Sequence, residues 1–398
     1  MATAIFARQL SPRQSVALLD GATKLGAKVL VSGGGRCNVT NAVVTERDFW
    51  GGRSTIVRNV LRRFTVSETV QFFESAGLGL HEEDGGKLFP DSHRARDVLN
   101  ALMSELSRVE VRLLSNHRVQ AVARHDGRFL LSTSQGVMRA QRVVLATGGQ
   151  SLPKSGSDGA GYQMARTLGH SIVPTTPALA PLILESREPL HSRLTGVSHD
   201  VALTVWIDDR LSIRLQGSLL WTHFGVSGPV VLNASRHWAR AKLENRDVRV
   251  TLNFLPASTF DAVDTQLLGL MDSRPRASMP TLLAGLLPAA LADALVAHLG
   301  IDRTLGAAQI TRADRRRLVH ALVEWLVPIV DTRGYNYAEA TAGGVELTEI
   351  DPATMESRVC PGLYLVGEVL DVDGRIGGFN FQWAWSSARV AARALAGR

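Results

Sequence analysis

Short apolar runs separated by polar turns dominate the first 150 residues. β-Branched stretches at 16–20 (VALLD), 109–114 (VEVRLL), 118–122, 128–133 (RFLLST) and 142–146 (RVVLA) have strand length, while 56–76 and 94–107 carry the apolar spacing of amphipathic helices. Residues 2–10 (ATAIFARQL) read as a helix with Ala4, Ile5 and Leu10 on a buried face. Strands alternating with helices predict an α/β fold with an antiparallel element interposed. From about 186 the texture shifts to alternating strands at 201–207 (VALTVWI), 211–215 (LSIRL) and 247–254 (DVRVTLNF), which predicts an all-β insert. Residues 257–330 return to helical periodicity, interrupted at Pro275, Pro280, Pro288 and Pro328. Residues 362–367 (GLYLVG) restore a buried-strand pattern and 379–396 form one long amphipathic helix, so the first domain resumes at the end. The expected division is 1–185, first part of the α/β domain; 186–256, β-rich insert; 257–334, helical subdomain; and 335–398, second part of the α/β domain.

Composition narrows the class. With 398 residues, 45% hydrophobic and 20% charged, the chain has a globular composition. The richest apolar run, 281–299, is broken by Pro288, Asp293 and His298, short of a membrane span. No secretory leader pattern opens the sequence, and the expected location is cytoplasmic. Two cysteines, Cys37 and Cys360, form neither a disulfide framework nor a metal motif. The net charge of +7 is spread along the chain and suits anionic cofactors. Its densest basic run, Arg312 with Arg315, Arg316 and Arg317, precedes Leu318, Leu322 and Leu326, which are expected to face a core; a solvated helix face is favoured over an RNA contact.

Three glycine-rich blocks carry the chemistry. Residues 32–38 (SGGGRCN) place three glycines in succession, where backbone N–H groups can approach an anion closely and Arg36 adds positive charge. Residues 146–149 (ATGG) follow a buried strand, at the sheet edge where open α/β folds bind ligands, and 155–161 (SGSDGAG) leads into a helix at 160–168. In residues 367–382 (GEVLDVDGRIGGFNFQ), Glu368 would present a carboxylate to a sugar-like hydroxyl, and Gly377 with Gly378 precede the final helix, whose positive end would face the site. Asp371 and Asp373 lack the partners a metal needs, so no metal site is expected. Asp20 ends its strand as a ribose-binding acid ends a Rossmann strand, about 20 residues after a G-x-G-x-x-G turn. That turn does not stand before it, so residues 2–10 read as the later turns of the helix such a turn would open, and weak cofactor retention is expected.

The blocks SGGGRCNVTN (32–41), ATGGQSLPKSGSDGAGY (146–162), ATAGGVELTEIDPATMES (340–357) and GLYLVGEVLDVDGRIGGFNFQWAWSS (362–387) resemble the signatures of one FAD-dependent flavoprotein family. It is the family that includes aminoacetone oxidases and a bile-acid dehydro-reductase. The resemblance runs nearly end to end. It implies a Rossmann-like FAD-binding domain with an inserted β-barrel-like domain and a small helical subdomain. It further implies that Asp20 holds the adenosine ribose, where many members use Glu, and that Val119 lends backbone contacts to adenine. Gly34, Gly35, Arg36, Cys37 and Asn38 would lie along the pyrophosphate or isoalloxazine, and Thr147 and Gly148 along the adenine side. Glu368 would take the ribityl or pyrophosphate region, and Gly378, Phe379 and Asn380 the pyrimidine edge. Phe379 stands where Tyr is common, and Ala340 where Val often precedes Thr341.

The function this implies is an FAD-dependent oxidoreductase passing a hydride between a small organic substrate and flavin N5, with NAD(P)H a candidate electron donor. The alternatives are a cofactor-poor remnant without catalysis and, less favoured, an RNA-associated flavoprotein; no nucleic-acid or membrane partner is expected. No catalytic residue is assigned: His81, His93 and His223 are isolated histidines, and a packed Cys37 is favoured over a catalytic thiol. Tyr335, Asn336 and Tyr337 are weak candidates for substrate contact, and Trp383 and Trp385 read as packing aromatics.

Overall fold

The alternation of strands and helices is realised as an α/β protein in a computed structural model that describes residues 1–185 and 189–397, the side chain of Pro189 excepted. The start of the β-rich insert, read at 186, lies outside the described residues. The chain forms two compact units, Met1–Thr175 with Glu339–Arg398, and Thr176–Ala338.

In the first unit, parallel pairing joins Ala17–Leu19 to Arg112–Leu114 and Val143–Leu145 to Leu363–Leu365. Each pair brings together segments far apart in sequence, as parallel pairing, which needs a crossover connection, requires. An antiparallel meander, Val119–His125, Arg128–Thr133 and Gly136–Ala140, is the interposed element. A hairpin of Leu80–Glu83 and Lys87–Pro90 pairs with Thr40–Asn41. The stretch at 56–76 is two helices, Ser54–Leu61 and Val66–Ser75. Thr65 restarts the helix: its hydroxyl accepts from Glu68 N at 3.3 Å while Glu68 accepts from Thr65 N at 2.7 Å, a capping box that one apolar period hides. Ala2–Leu10 buries Ala4 and Ile5 as expected, but Leu10 is only half-buried. Phe6 and Ala7 take its place, packing in one core with Trp385, Ala388 and Ala392 of the final helix, Phe379–Leu395.

The second unit holds a seven-stranded antiparallel sheet, in the order Trp325–Leu326, Val248–Asn253, Ser198–Ile207, Arg210–Thr222, Gly225–Ser227, Leu182–Leu184, Ile329–Thr332. A 15-residue helix, Pro229–Leu243, lies within the stretch whose pattern reads as all-β, and contributes Val230, Val231, Ala234 and Trp238 to the same core as the sheet. Helices Phe260–Ser273, Met279–Leu283, Ala289–His298 and Arg312–Val323 join that core. Leu318 and Leu322 are buried, but Leu326 is 55% exposed. The helix stops at Val323, and alternation in the short strand that follows turns Trp325 inward and Leu326 outward. Two of the four arginines of the basic run are ion-paired: Arg315 with Asp264 at 2.8 Å and Arg317 with Asp314 at 2.9 Å. Among the described residues, no helix is long and apolar enough to cross a membrane.

Candidate functional site

The final helix organises the first unit's glycine blocks. Its N-cap, Gly378, has φ 93°, and a Cβ there would lie 2.7 Å from Thr40 Cα, so both backbone angle and space demand glycine. Gln382, one turn in and fully buried, accepts from Thr40 Oγ1 at 2.7 Å and donates to Phe64 O at 3.2 Å. Trp385 Nε1 donates to Val39 O at 2.9 Å and Trp383 Nε1 to Gly367 O at 3.1 Å. Ser387 Oγ accepts from Gly367 N at 3.0 Å. Two faces of one helix thereby fix the 38–41 segment, through Gln382 and Trp385, and the turn carrying Glu368, through Trp383 and Ser387. The two tryptophans are buried fasteners, in keeping with their reading as packing aromatics.

The glycine turn is left-handed at Gly33 (φ 55°), Gly34 (φ 68°), Gly35 (φ 86°) and Cys37 (φ 60°), and nothing lies within 4 Å of a Cβ built on Gly34. Arg36 donates to Glu83 at 2.7 Å and stacks 4.1 Å over Phe89. Burial works to raise the Glu83 carboxyl, but hydrogen bonds from Arg36 and His81 outweigh it and hold the group below the ordinary range. Cys37 is fully buried, and burial pushes its thiol up to about 11. Asn38, with its amide oxygen turned to accept from Gly378 N at 3.1 Å, donates to Thr40 O at 2.7 Å.

A polar cluster lies where the 146–162, 340–357 and 362–387 blocks meet. Glu368 Oε1 accepts from Thr341 N and from Ser151 Oγ, each at 2.9 Å, and Oε2 is ion-paired with Lys28, which also donates to Ser151 Oγ at 2.6 Å. Thr341 Oγ1 accepts from Gln150 N at 2.8 Å and Ser151 N at 3.0 Å, fastening the loop that begins at Thr147. Gly148 (φ 73°) leaves room for Ser157 Oγ, a buried hydroxyl without a hydrogen-bond partner among the described residues. Glu339 opens to solvent at this cluster yet is ringed by protein, and desolvation raises its carboxyl against the pull of Lys28 and Lys87.

The structure distributes the thirteen sequence-derived site residues unevenly. Asp20 makes a local turn, accepting from Ala22 N at 2.7 Å, and a Cβ on Gly21 would sit 3.0 Å from Arg118 Cβ, next to Val119. Arg118 pairs with Asp158 at 2.6 Å, linking this edge to the 155–161 loop. Thr147, Gly148 and Glu368 lie together; Gly34, Gly35, Arg36, Cys37 and Asn38 form the glycine turn; Gly378 adjoins it. Phe379 points its ring into the core, 6.3 Å from Phe49, and Asn380 spends its amide on Gly374, accepting at 2.8 Å and donating at 3.0 Å, so only their backbones face the helix start. Sequence reading missed Lys28, Ser151, Arg118 and Gln382. Of these, Ser151 and Gln382 lay inside recognised blocks, at 146–162 and 362–387, and Lys28 and Arg118 lay outside them.

A Rossmann-like α/β unit with a large inserted antiparallel sheet and glycine-rich turns at its strand ends defines the class. A family model described as HI0933-like protein Rossmann domain matches residues 1–394. A 3-dehydro-bile acid delta(4,6)-reductase of Clostridium scindens is 35% identical over 395 residues, covering 99% of this chain and 96% of that protein. Ribosomal RNA dihydrouridine synthases of Escherichia coli and Haemophilus influenzae are 35% and 33% identical, each match covering 96% of this chain and 92% of the relative. The chain belongs to the HI0933-like Rossmann family, the flavoprotein family its motif blocks resemble.

Proposed function

We propose that this chain is an FAD-dependent reductase of a carbon–carbon double bond conjugated to a carbonyl, and that its preferred substrate is uridine in ribosomal RNA. The observation that carries the reaction class is that relatives matching almost the whole chain bear names describing one transformation. A delta(4,6)-reductase acting on a 3-dehydro bile acid saturates a bond conjugated to a ketone, and making dihydrouridine saturates the uracil C5=C6 bond conjugated to C4=O. The net charge of +7 and the two synthases favour the polyanion. The Clostridium relative supports a second reading, a small unsaturated ketone.

The residues present fit FAD. The open left-handed backbone at Gly34, the unpartnered Ser157 hydroxyl beside Gly148, and a final helix whose N-cap has no side-chain cap offer donors to an anionic or carbonyl-bearing ligand. Asp20 and Val119 would hold the adenosine end, Gly34, Gly35 and Asn38 the middle, and the backbone from Gly378 the pyrimidine edge. When bound, the flavin supplies hydride transfer at N5, with NAD(P)H as the proposed donor. Lys28 and Glu368 then act as a fixed, mutually neutralised pair that holds the 147–151 loop. Glu339, its carboxyl kept protonated to higher pH by its surroundings, is the group we assign to deliver the proton to the α carbon.

The test is direct. Purified full chain supplied with FAD should show a flavin absorbance band that bleaches anaerobically with NADH or NADPH, and should form dihydrouridine in unmodified ribosomal RNA. Consumption of a conjugated dienone with no change in RNA would select the second reading. Flavin without activity on either substrate would overturn the reaction class, and failure to bind added FAD would overturn the cofactor assignment.

A further inference from the structure

The hairpin beside the glycine turn carries a second chemical cluster. His81 and Glu83 are two residues apart on Leu80–Glu83 and so share a face. Past the partner strand the chain turns back through His93, which holds φ 54° and sets its ring 4.6 Å from that of His81. His81 Nε2 lies 3.4 Å, and His93 Nδ1 3.5 Å, from the same oxygen, Glu83 Oε1. All three donor atoms fall within 4.8 Å of one another.

Those separations lie at the long end of the hydrogen-bond range. The two nitrogen–oxygen separations are also close to those around a shared cation: donors held at 2.0–2.2 Å around a tetrahedral ion stand about 3.3 Å apart, while the two ring nitrogens lie within 4.8 Å of each other. The supporting contacts are also in place. His81 Nδ1 is 3.3 Å from Asp91 Oδ1, which orients the ring and leaves Nε2 for the cluster. Asp91 is itself fixed, its N donating to Gly79 O at 3.0 Å and its carboxylate filling the space a Cβ on Gly79 would need. Arg36 holds the Glu83 carboxylate, donating to Oε1 at 2.7 Å and Oε2 at 3.0 Å.

We propose that His81 Nε2, Glu83 Oε1 and His93 Nδ1 bind one divalent first-row transition-metal ion, Zn2+ or a relative of similar softness, with the remaining coordination positions open to water. Two imidazoles and one carboxylate select against Mg2+ and Ca2+, which take oxygen donors. The site does not depend on the flavin assignment.

The experiment uses the full chain, free of any polyhistidine tag and stripped with chelator. Calorimetry with Zn2+ and visible spectroscopy with Co2+ should report one ion per chain, with Mg2+ failing to compete. The double variant H81A/H93A should lose more than about 100-fold in Zn2+ affinity, and D91N about 10–100-fold. Circular dichroism and urea unfolding establish that each variant folds; should the double variant not fold, H93Q alone, altering a half-exposed side chain, is expected to lower affinity and the Co2+ absorbance. Absence of 1:1 uptake, or affinity unchanged in whichever histidine variant folds, would overturn the site.

Discussion

At the scale of single residues, backbone angle and burial decide what each position tolerates. Gly378→Ala must place a Cβ against the Thr40 backbone at φ 93°, so it combines a left-handed penalty with overpacking. A loss of about 2–4 kcal/mol in urea unfolding is expected; a change below 0.5 kcal/mol would show that the 40–41 segment yields freely. His237 supplies a pH dependence. Burial, with Arg236 adding like charge, lowers its imidazole from 6.5 to about 4. The unfolded chain therefore binds the proton first, and the contribution, complete above pH 6.5, is lost as pH falls toward 4. The span corresponds to roughly 3 kcal/mol. His237→Gln should flatten stability between pH 6.5 and 4 if the fold accommodates the amide, and an unchanged slope in a folded variant would assign the acid sensitivity elsewhere.

At the scale of elements, side chains far apart in sequence fasten turns to strands. His170 Nδ1 lies 2.7 Å from Glu349 and its Nε2 lies 2.8 Å from Ser357 Oγ, an order of groups that resembles a hydrolytic triad. Burial and bonding argue otherwise. Ser357 is 5% exposed, and its oxygen already accepts from Val359 N at 3.1 Å and Cys360 N at 2.7 Å. The network ties the turn at 357–360 to the loop after the 160–167 helix. Ser357→Ala should thus cost about 1–3 kcal/mol by leaving buried partners unpaired, and wild type should not hydrolyse an activated ester through this serine. Periodicity made the elements themselves legible, including Ala160–Thr167, Ala95–Arg108 and Phe379–Leu395. It failed at Pro229–Leu243, a helix inside the stretch read as an all-β insert, where Val230, Val231, Ala234, Trp238 and Ala239 bury one face on a helical period. Glycine blocks announced the turns, and Ser151 lay inside one of them, whereas Lys28 gave no signal, because its role arises only when segments 123 residues apart meet. The histidine cluster was hidden for the same reason: three donors at 81, 83 and 93 share no motif spacing until the hairpin closes.

At the scale of the whole molecule, the question is where a net charge of +7 resides. The conspicuous run at 312–317 is a poor phosphate site, since Asp264 and Asp314 already occupy Arg315 and Arg317. A better candidate lies in the first unit, where a cavity of about 400 Å³ is lined by Arg63, Arg389 and Arg393 with Leu10, Ala353 and Val390, and Glu68 is the acid near enough to act on Arg389. Arg389 is packed over Phe6, 5.1 Å from its ring, and like charge on Arg393 adds to the desolvation that lowers its guanidinium. Such a group gains when an anion arrives. If ribosomal RNA is the substrate, phosphates docked there release counterions, and log affinity falls linearly with log salt by about 0.7–0.9 per contact. Charge reversal at the two exposed positions, R63E/R393E, should then weaken RNA binding and reduce the salt slope by about 1.5, while leaving flavin content and turnover of a small enone unchanged. An unaltered slope would remove this cavity from the RNA path, and loss of enone turnover would mean that the substitutions disturb the final helix instead, whose other end is seated against Thr40.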